Sequence, residues 1–324
     1  MITIQLYTPQ MRREWQKFIA TATNATFLHN RDYMEYHSDR FEDFSLMAYD
    51  NHSHLIGVLP ANRTNNELWS HQGLTYGGWL MAPKHVVPQM ALELWQKTVE
   101  FISANGITVL HYKPVPWFYC SYPTEDDFYA LWRLGATLEV VQQAGVIPLH
   151  QKWLLNESGR QDLRKATANG ITVSREADLT QFWEILSERL YEKYHTAPVH
   201  TLEEMQLLQS RFPKNIKLYT ARLSHTSQLL AGVLVYVTDN VVHSQYISST
   251  PIGRVMQSMP AILDRIFCEH GQCNFFDFGT SCEDGGRILN SGLSAKKYGL
   301  GGRTAVYYTL RLDISSQAPD RLQP

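Results

Sequence analysis

The sequence predicts an α/β protein with mixed sheets and some α+β character, formed by two related domains. Apolar runs of strand length alternate with stretches of helical period along the chain. The same order of these elements occurs twice, once in each half. With 324 residues, of which 44% are hydrophobic, the chain is long and apolar enough for two packed cores.

Composition excludes several classes of protein. The formal net charge of -2 argues against a large nucleic-acid-binding surface, and DNA is not expected as a partner. No apolar run reaches the roughly 18 residues that a membrane span requires, and the N-terminus lacks the pattern of a signal peptide. We therefore predict a cytoplasmic protein without a membrane span. The four cysteines form no CxxC pair, and no metal site is expected.

The elements of the first half are placed by hydrophobic period and bounded by turn residues. Pro88 begins an amphipathic helix that ends at Asn105 and Gly106, and an Asp50-Asn51 turn separates two strands. Helices are predicted at residues 9–19, 30–37, 88–104 and 128–134. Strands are predicted at residues 2–7, 44–49, 55–62, 67–70 and 107–112, with the final strands at 137–149.

The second half begins with a basic helical segment that ends at Gly170. A long helix follows, with Phe182, Ile185 and Leu186 at helical spacing. Helices are predicted at residues 158–169, 179–194, 202–212, 259–270 and 293–298. Strands are predicted at residues 171–175, 216–223, 229–237, 241–248 and 275–278, with a strand pair through 307–312. The polar tail at residues 315–324 is predicted to be disordered.

An internal repeat sets the predicted domain boundaries. In the first half, a strand containing Gly57-Val-Leu precedes a glycine-containing loop, a helix, a buried strand and a helix that ends in Leu-Gly. The second half repeats this order after Gly232-Val-Leu. A divergent duplication explains the repeat, and we predict domains at residues 1–150 and 151–314.

The stretch at residues 273–303 has the composition of a functional site. Its apolar run FFDF predicts a buried strand that carries Asp277 and ends at Gly279 in a polar loop, where α/β proteins place ligands. Lys296 and Lys297 follow on a short helix, near the end of that strand. An ordinary strand, loop and helix with solvated lysines is the alternative interpretation.

The plan of each half resembles the acyltransferase fold of the GNAT superfamily: strand, helices, three antiparallel strands, helix, strand, helix and strand pair. With the sequence FDFGTS followed by GLSAKKYGLGG, the chain resembles the Fem-type branch of that superfamily. That branch includes peptidoglycan-bridge aminoacyltransferases and BioF2-like (acetyltransferase-6) proteins. Asp277 and Gly279 match its FDFGG motif, and Lys297 falls on its lysine, whereas Lys296 and Leu300 replace aromatic residues of the branch.

The resemblance implies direct attack of an amine on a thioester or ester, without a covalent enzyme intermediate. When the helix ends of the two copies are aligned, Leu131 takes the place of Lys297 in the first copy. Catalysis is therefore predicted in the second domain, and the first is predicted to be degenerate. Lys297 is expected to polarise the carbonyl or protonate the leaving group, with Asp277 nearby and Tyr298 as the alternative acid.

The resemblance also implies an acyl-CoA donor, with acetyl-CoA as the first candidate. Its predicted site is the helix N-terminus after the fourth strand. The residues predicted to bind it are Ser249, Gly253 and Arg254. The predicted acceptor is an amine on a small molecule, such as a sugar nucleotide, or on a cell-envelope precursor such as a peptidoglycan precursor. Candidate acceptor-binding residues are Tyr246, Ser281, Tyr76, Lys113 and Arg164.

Two other functions remain open from the sequence. A Fem-type aminoacyltransferase would use aminoacyl-tRNA as donor and a peptidoglycan precursor as acceptor. A non-catalytic binding protein with a decayed site is the second alternative, because the loop at residues 248–260 lacks the usual glycine-rich phosphate-binding pattern.

Overall fold

The structure is a computed structural model that describes residues 2–85, 87–153 and 155–314. The tail predicted to be disordered, residues 315–324, lies outside these ranges. Within them, none of the helices combines the length and the apolarity needed to cross a membrane.

The elements alternate along the chain much as the hydrophobic periods predict. The strands are β1 (Thr3–Leu6), β2 (Glu42–Asp43), β3 (Leu46–Tyr49), β4 (Leu55–Leu59), β5 (Asn62–Thr64), β6 (Glu67–Trp69), β7 (Leu80–Met81), β8 (Val109–Tyr112), β9 (Thr137–Pro148), β10 (Ile171–Glu176), β11 (Ile216–Leu223), β12 (Leu229–Val237), β13 (Val241–Ser249), β14 (Phe275–Thr280), β15 (Cys282–Glu283), β16 (Ile288–Leu289) and β17 (Arg303–Asp313). The helices are α1 (Arg12–Ile19), α2 (Arg31–Met34), α3 (Pro88–Ala104), α4 (Asp126–Arg133), α5 (Glu157–Ala168), α6 (Thr180–Tyr194), α7 (Leu202–Arg211), α8 (Pro251–Val255), α9 (Ser258–Glu269) and α10 (Ser291–Gly299).

Three predicted segments differ from the structure. The final strands predicted at 137–149, and the strand pair through 307–312, are each one long strand, β9 and β17. Neither segment contains an Asn-Gly, Asp-Gly or Pro-Gly pair that would turn the chain back into a second strand. The predicted loop at 249–258 contains the short helix α8, which Pro251 begins and the Thr250 side chain caps.

The chain divides into two compact units. Of the described residues, unit 1 comprises those at 2–142 and 306–314, and unit 2 comprises those at 143–305. These bounds differ from the predicted division at 150/151, because residues 144–148 pair with β14 of unit 2 and residues 310–313 pair with β8 of unit 1. The division at 150/151 stays a prediction drawn from the repeat.

Unit 1 contains two sheets. One has the strand order β1-β3-β4-β7, and the other the order β17-β8-β6-β5-β2, in which β6 and β8 are parallel. Helices α3 and α4 pack on these sheets through apolar side chains that include Trp95, Ile102 and Leu131. Leu110 and Tyr112 of β8 contribute to the same core.

Unit 2 has a sheet with the strand order β10-β11-β12-β13-β14-β9. Its strands are antiparallel except for β13 and β14, which are parallel. Helix α9 packs on one face through Ile262, Leu263 and Ile266, against Val233 and Phe276 of the sheet. The position of the parallel pair, joined through α9, repeats that of β6 and β8, joined through α3, in unit 1.

The pairing of β13 with β14 ends early. Only residues 241–243 pair with residues 275–277, although β13 continues to Ser249 and β14 to Thr280. The two strands therefore stop pairing with each other, while β13 continues to pair with β12 and Thr280 of β14 pairs with β9. A separation of neighbouring parallel strands at their ends leaves room for a cleft at the C-terminal edge of the sheet.

Candidate functional site

Lys297 lies at the ends of β13 and β14, where these two strands no longer pair with each other. Helix α10 carries it inward across β9, where a Cβ on Gly145 would be 3.2 Å from the lysine Cβ. Only 6% of Lys297 is exposed, and its Nζ donates to the carbonyl oxygens of Gly279 at 2.9 Å and Thr280 at 2.7 Å. Burial lowers the pKa of Lys297 to about 8, against the opposing effect of the Asp277 carboxylate.

Asp277 is fully buried on β14 and is held at both oxygens. Its Oδ1 accepts a hydrogen bond from the backbone N–H of Gly279 at 2.7 Å, and its Oδ2 lies 2.9 Å from Nδ1 of His243. Gly279 has a φ of 70°, which glycine adopts without strain. The predicted proximity of Asp277 to Lys297 is thus arranged through the Gly279 backbone, which contacts both side chains.

A cavity of about 250 Å³, here called the cleft, opens beside Lys297. It is lined from β13 and β14, from α6, and from α9 and α10. The lining residues are Leu186, Arg189, Leu190, Lys193, Tyr194, Ile247, Ser248, Ser249, Arg254, Met259, Phe278, Leu293, Lys296, Lys297 and Leu300. This set combines five cationic side chains with apolar ones, and none of these described lining residues is acidic.

The cations of the cleft act on one another. Partial desolvation of its ammonium at the cleft lowers the pKa of Lys296, and the positive charges of Arg254, Arg189 and Lys193 lower it further. The Arg254 guanidinium donates to the Ser249 carbonyl oxygen at 2.7 Å, which fixes it at the end of β13. Like charges held close together are stabilised by a bound anion, so the cleft favours an anionic ligand with an apolar part.

A second cavity of about 390 Å³, here called the loop cavity, lies between α5 and the loop before α9. It shares five lining residues with the cleft: Ser249, Arg254, Met259, Lys296 and Leu300. Gly253, predicted to contact the donor, also lines it. A Cβ on Gly253 would be only 2.0 Å from the Leu230 carbonyl oxygen, so this glycine is required for α8 to pack on β12. The predicted donor residues Ser249, Gly253 and Arg254 are therefore brought together.

The other predicted residues of unit 2 have different surroundings. The Tyr246 hydroxyl is 2.7 Å from Nδ1 of His200, and its ring packs edge-on against Trp183. Ser281 is 1% exposed, and its hydroxyl has no partner among the described residues. Tyr298 is 59% exposed beneath Arg303, and it lines neither cavity.

Arg164 is exposed on α5 and lines neither cavity, although the same helix contributes Asp162 to the loop cavity. In unit 1, the Tyr76 hydroxyl bonds to Thr26 at 3.4 Å, and Lys113 donates to the Leu74 carbonyl oxygen at 2.6 Å. Burial lowers the pKa of Lys113 to about 8. The acceptor roles of these residues stay predictions.

Unit 1 has no lysine in the position of Lys297, because Leu131 fills the corresponding helix position and is buried in the core. Between its helices α3 and α4 lies a cavity of about 20 Å³, which is large enough for one water molecule. Trp79 and Trp95 line this space. Unit 1 thus has a small cavity where unit 2 has an open cleft, and the predicted loss of catalysis in the first copy stays a prediction.

Sequence reasoning missed three residues of the site. His243 contacts Asp277, and Arg189 and Lys193 line the cleft from α6. Arg189 and Lys193 are four residues apart, and this spacing on a helix indicates a shared face. No local signal marks His243, because it lies in a strand of mixed polarity, VVHSQYISS. The described residues contain no group of three His, Cys, Asp or Glu side chains suited to a metal ion.

Comparisons with known proteins identify the fold. No family model and no curated protein match the sequence. The structure of FemX is similar with a TM-score of 0.66 and 14% identity, over 96% of this chain and 97% of that chain. The C-terminal domain of a putative lysylphosphatidylglycerol synthetase from Agrobacterium fabrum has a TM-score of 0.58 and 12% identity, over 94% and 92%. A tandem GNAT protein from the clavulanic acid biosynthesis pathway has a TM-score of 0.53 and 11% identity, over 98% and 100%.

These similarities extend over nearly the whole chain, and at this identity they establish the fold. The protein has the tandem GNAT fold, with mixed sheets in two related parts. Its fold is similar to that of FemX, in agreement with the Fem-like fold that the FDFG and lysine-glycine motifs predict.

Proposed function

We propose that this protein is an N-acyltransferase whose reaction takes place in the cleft of unit 2. The observation that carries the proposal is the position of Lys297. It is buried where β13 and β14 stop pairing with each other, and it lines the cationic cleft. A lysine with a pKa of about 8 holds its proton at neutral pH and releases it more readily than a solvated lysine.

The proposed reaction is a direct attack of an acceptor amine on the acyl carbon of the donor. Two hydrogen bonds to backbone carbonyls fix the Lys297 ammonium, and its third proton is not donated to any described residue. Lys297 stabilises the negative oxygen or protonates the leaving group as the donor bond breaks. No nucleophilic side chain is needed for this reaction.

The proposed donor is acyl-CoA, which carries phosphates at one end and an apolar thioester arm at the other. Arg189, Lys193, Arg254 and Lys296 suit the phosphates, whereas the leucine side chains and Phe278 suit the arm. The first residues of α9 line the loop cavity, where backbone N–H groups favour anions. A cytoplasmic location and an amine acceptor, such as a sugar nucleotide or a peptidoglycan precursor, complete the proposal.

Aminoacyl-tRNA is the second candidate donor. The similarity to FemX and the cationic lining of the cleft favour it. The two donors are distinguished by salt. If tRNA binds through several phosphates, its affinity falls as salt is added. In a plot of log affinity against log salt concentration, each phosphate contact contributes about -0.7 to -0.9 to the slope. A single CoA molecule would give a much smaller slope.

The first test is a thermal-shift titration with acetyl-CoA, with free CoA and ATP for comparison. A ligand that binds only the folded protein stabilises it by about 2.7 kcal/mol at one hundred times its Kd. A saturable shift with CoA species but not with ATP supports the acyl-CoA donor. The absence of a shift, with salt-sensitive binding of charged tRNA, supports the second donor.

The second test measures acyl transfer to a panel of amines. Lys297→Met is expected to reduce kcat by about 10² to 10⁴-fold, the range for loss of an acid catalyst. Lys214→Met, at an exposed lysine before β11, is the matched control and is expected to retain the wild-type rate. Equal rates in both variants would contradict the role of Lys297. Ligand binding without transfer to any amine would favour a non-catalytic binding protein.

A further inference from the structure

The carboxylate of Asp277 and the imidazole of His243 form a pair that the chemistry described above leaves without a role. Asp277 Oδ2 lies 2.9 Å from His243 Nδ1, and Asp277 Oδ1 accepts from the Gly279 N–H at 2.7 Å. The Asp277 side chain is 0% exposed, whereas the His243 side chain is 14% exposed. A buried carboxylate held at both oxygens gives the ring a fixed orientation.

The pairing decides which ring nitrogen is free to accept a proton. An ionised carboxylate only accepts hydrogen bonds, so Nδ1 of His243 carries the ring proton and Nε2 keeps its lone pair. Within the described residues, Nε2 makes no hydrogen bond, and it is not among the buried atoms left without a partner. Nε2 is therefore in contact with solvent and in the tautomer that a general base requires.

The ring lies where the strands of the cleft cease to pair. His243 is the last residue of β13 that pairs with β14, and its partner there is Asp277. A Cβ on Gly279 would be 3.2 Å from Cε1 of the ring, so the imidazole packs against this glycine. The carbonyl oxygen of the same glycine accepts a hydrogen bond from Lys297. One residue thus adjoins both the imidazole and the ammonium.

We infer that His243 is the general base of the acyl transfer and that Asp277 is its positioning residue, an inference that rests on the function proposed above. The acceptor nitrogen forms a bond to the acyl carbon, while Nε2 takes a proton from that nitrogen. The carbon–sulfur bond of the thioester then breaks, and Lys297 gives a proton to the departing sulfur. The products are an amide and a free thiol; His243 then releases its proton to solvent, and Lys297 regains one.

The titratable neighbours of the ring come from three elements. Tyr236 of β12 pairs with His243 across the sheet, Asp277 is on β14, and Lys297 of α10 adjoins the same glycine. In this mechanism His243 acts in its neutral form and Lys297 in its protonated form. The two groups therefore control opposite limbs of the pH–rate profile.

The test uses two substitutions that differ in the atom they retain. In His243→Asn the amide nitrogen takes the place of Nδ1 and still donates to Asp277, whereas in His243→Gln a non-basic amide takes the place of Nε2. Melting temperatures verify that each variant is folded. The control is His225→Gln, at an exposed histidine in the turn between β11 and β12.

Transfer from acetyl-CoA to primary amines is measured across the pH range. We expect kcat/KM to fall by about 10² to 10⁴-fold in both His243 variants. The acidic limb should disappear, and part of the rate should return at high pH, where solvent deprotonates the amine. Asp277→Asn should show a similar loss because it removes the group that fixes the tautomer, whereas His225→Gln should match the wild type. A pH profile of the His243 variants that matches the wild type overturns the inference.

Nitrogen NMR of the histidine side chains gives a readout that does not depend on turnover. We expect the ring proton of His243 on Nδ1 in the wild type and its redistribution in Asp277→Asn. A wild-type proton on Nε2 overturns the inference whether or not the protein is active. If the proton is on Nδ1 but no acyl group is transferred to any amine, the proposed function fails and the base role fails with it, while the orientation by Asp277 stands.

Discussion

Lys297 shows how a single residue acquires its properties from its surroundings. On the sequence it is one of two adjacent lysines, yet Lys296 is exposed at the cleft and Lys297 is buried. The difference follows from helix geometry, because neighbouring residues on α10 point about 100° apart. Only Lys297 reaches the carbonyl oxygens at the end of β14.

The first prediction concerns the pH dependence of stability at Lys297. Its folded-state pKa of about 8 lies below the ordinary value of 10.5, so the unfolded chain binds more protons between these values. The free energy of unfolding should therefore rise with pH across that window, by up to roughly 3 kcal/mol from this group alone. Lys297→Met should lack this rise.

The measurement is urea denaturation of the wild type and Lys297→Met at pH values from 7 to 10.5. Lys113 titrates in the same range, but it is present in both proteins and cancels in the difference. Lys214→Met serves as control and should follow the wild type. A constant difference between wild type and Lys297→Met at all pH values would contradict the buried environment of Lys297.

The second prediction separates backbone strain from contact with the catalytic ring. Gly279 and Gly285 both have positive φ, 70° and 59°. A Cβ on Gly279 would be 3.2 Å from His243, whereas one on Gly285 would meet nothing within 4 Å. Alanine at either position should reduce stability by about 1 to 2 kcal/mol. Only Gly279→Ala should also reduce acyl transfer, and equal activity of the two variants would contradict the placement of the site.

At the scale of elements, α8 is the part of the cleft whose geometry depends most on one residue. Gly253 lets α8 lie on the end of β12, because any Cβ there would collide with the Leu230 backbone carbonyl. Arg254 follows directly, and its guanidinium is fixed to Ser249. A displacement of α8 would therefore move a cation that lines both cavities.

The third prediction compares two glycines in helices. Gly253→Ala should lower the melting temperature and weaken donor binding, because the backbone of α8 must move. Gly292→Ala, in the first turn of α10 where a Cβ would meet no atom closer than 3.9 Å, should stabilise the protein by about 0.4 to 1 kcal/mol. Differential scanning calorimetry and a CoA titration measure both effects. Unchanged donor binding in Gly253→Ala would remove α8 from the donor site.

Elements with a strong local pattern could be predicted from the sequence, whereas pairings between distant segments could not. The strand at residues 216–223 was predictable because apolar residues recur along it at strand spacing, and helix α3 because Pro88 begins it and Asn105 follows it. The contact between His243 and Asp277 depends on the register of β13 against β14, which no local pattern contains. The same holds for β17, because its pairing with β8 joins residues about two hundred positions apart.

At the scale of the whole molecule, the two units differ in the cavities that they contain. Unit 2 has a cleft with a buried lysine, and unit 1 has a packed space between α3 and α4. Asp126 and Asp127 line that space, and Asp127 accepts a hydrogen bond from the buried Tyr112 hydroxyl. Burial raises the pKa of Asp127 to about 6. If unit 1 takes no part in catalysis, Asp127 can be replaced without affecting acyl transfer.

The fourth prediction tests this division of roles with Asp127→Asn. The folded-state pKa of Asp127 lies above its ordinary value of 3.8, so the folded protein binds more protons between pH 4 and 6. Stability contributed by this group is present at low pH and is lost as the pH rises through about 6. Asp127→Asn should therefore gain stability relative to the wild type as the pH rises from 4 to 7, while acyl transfer stays at the wild-type rate. Chemical denaturation at each pH and the transfer assay measure the two effects, with Asp39→Asn, at an exposed aspartate of the same unit, as the control. A folded Asp127→Asn protein that no longer transfers the acyl group would show that unit 1 takes part in the reaction, because a residue confined to the packing of that unit has no other route to the chemistry.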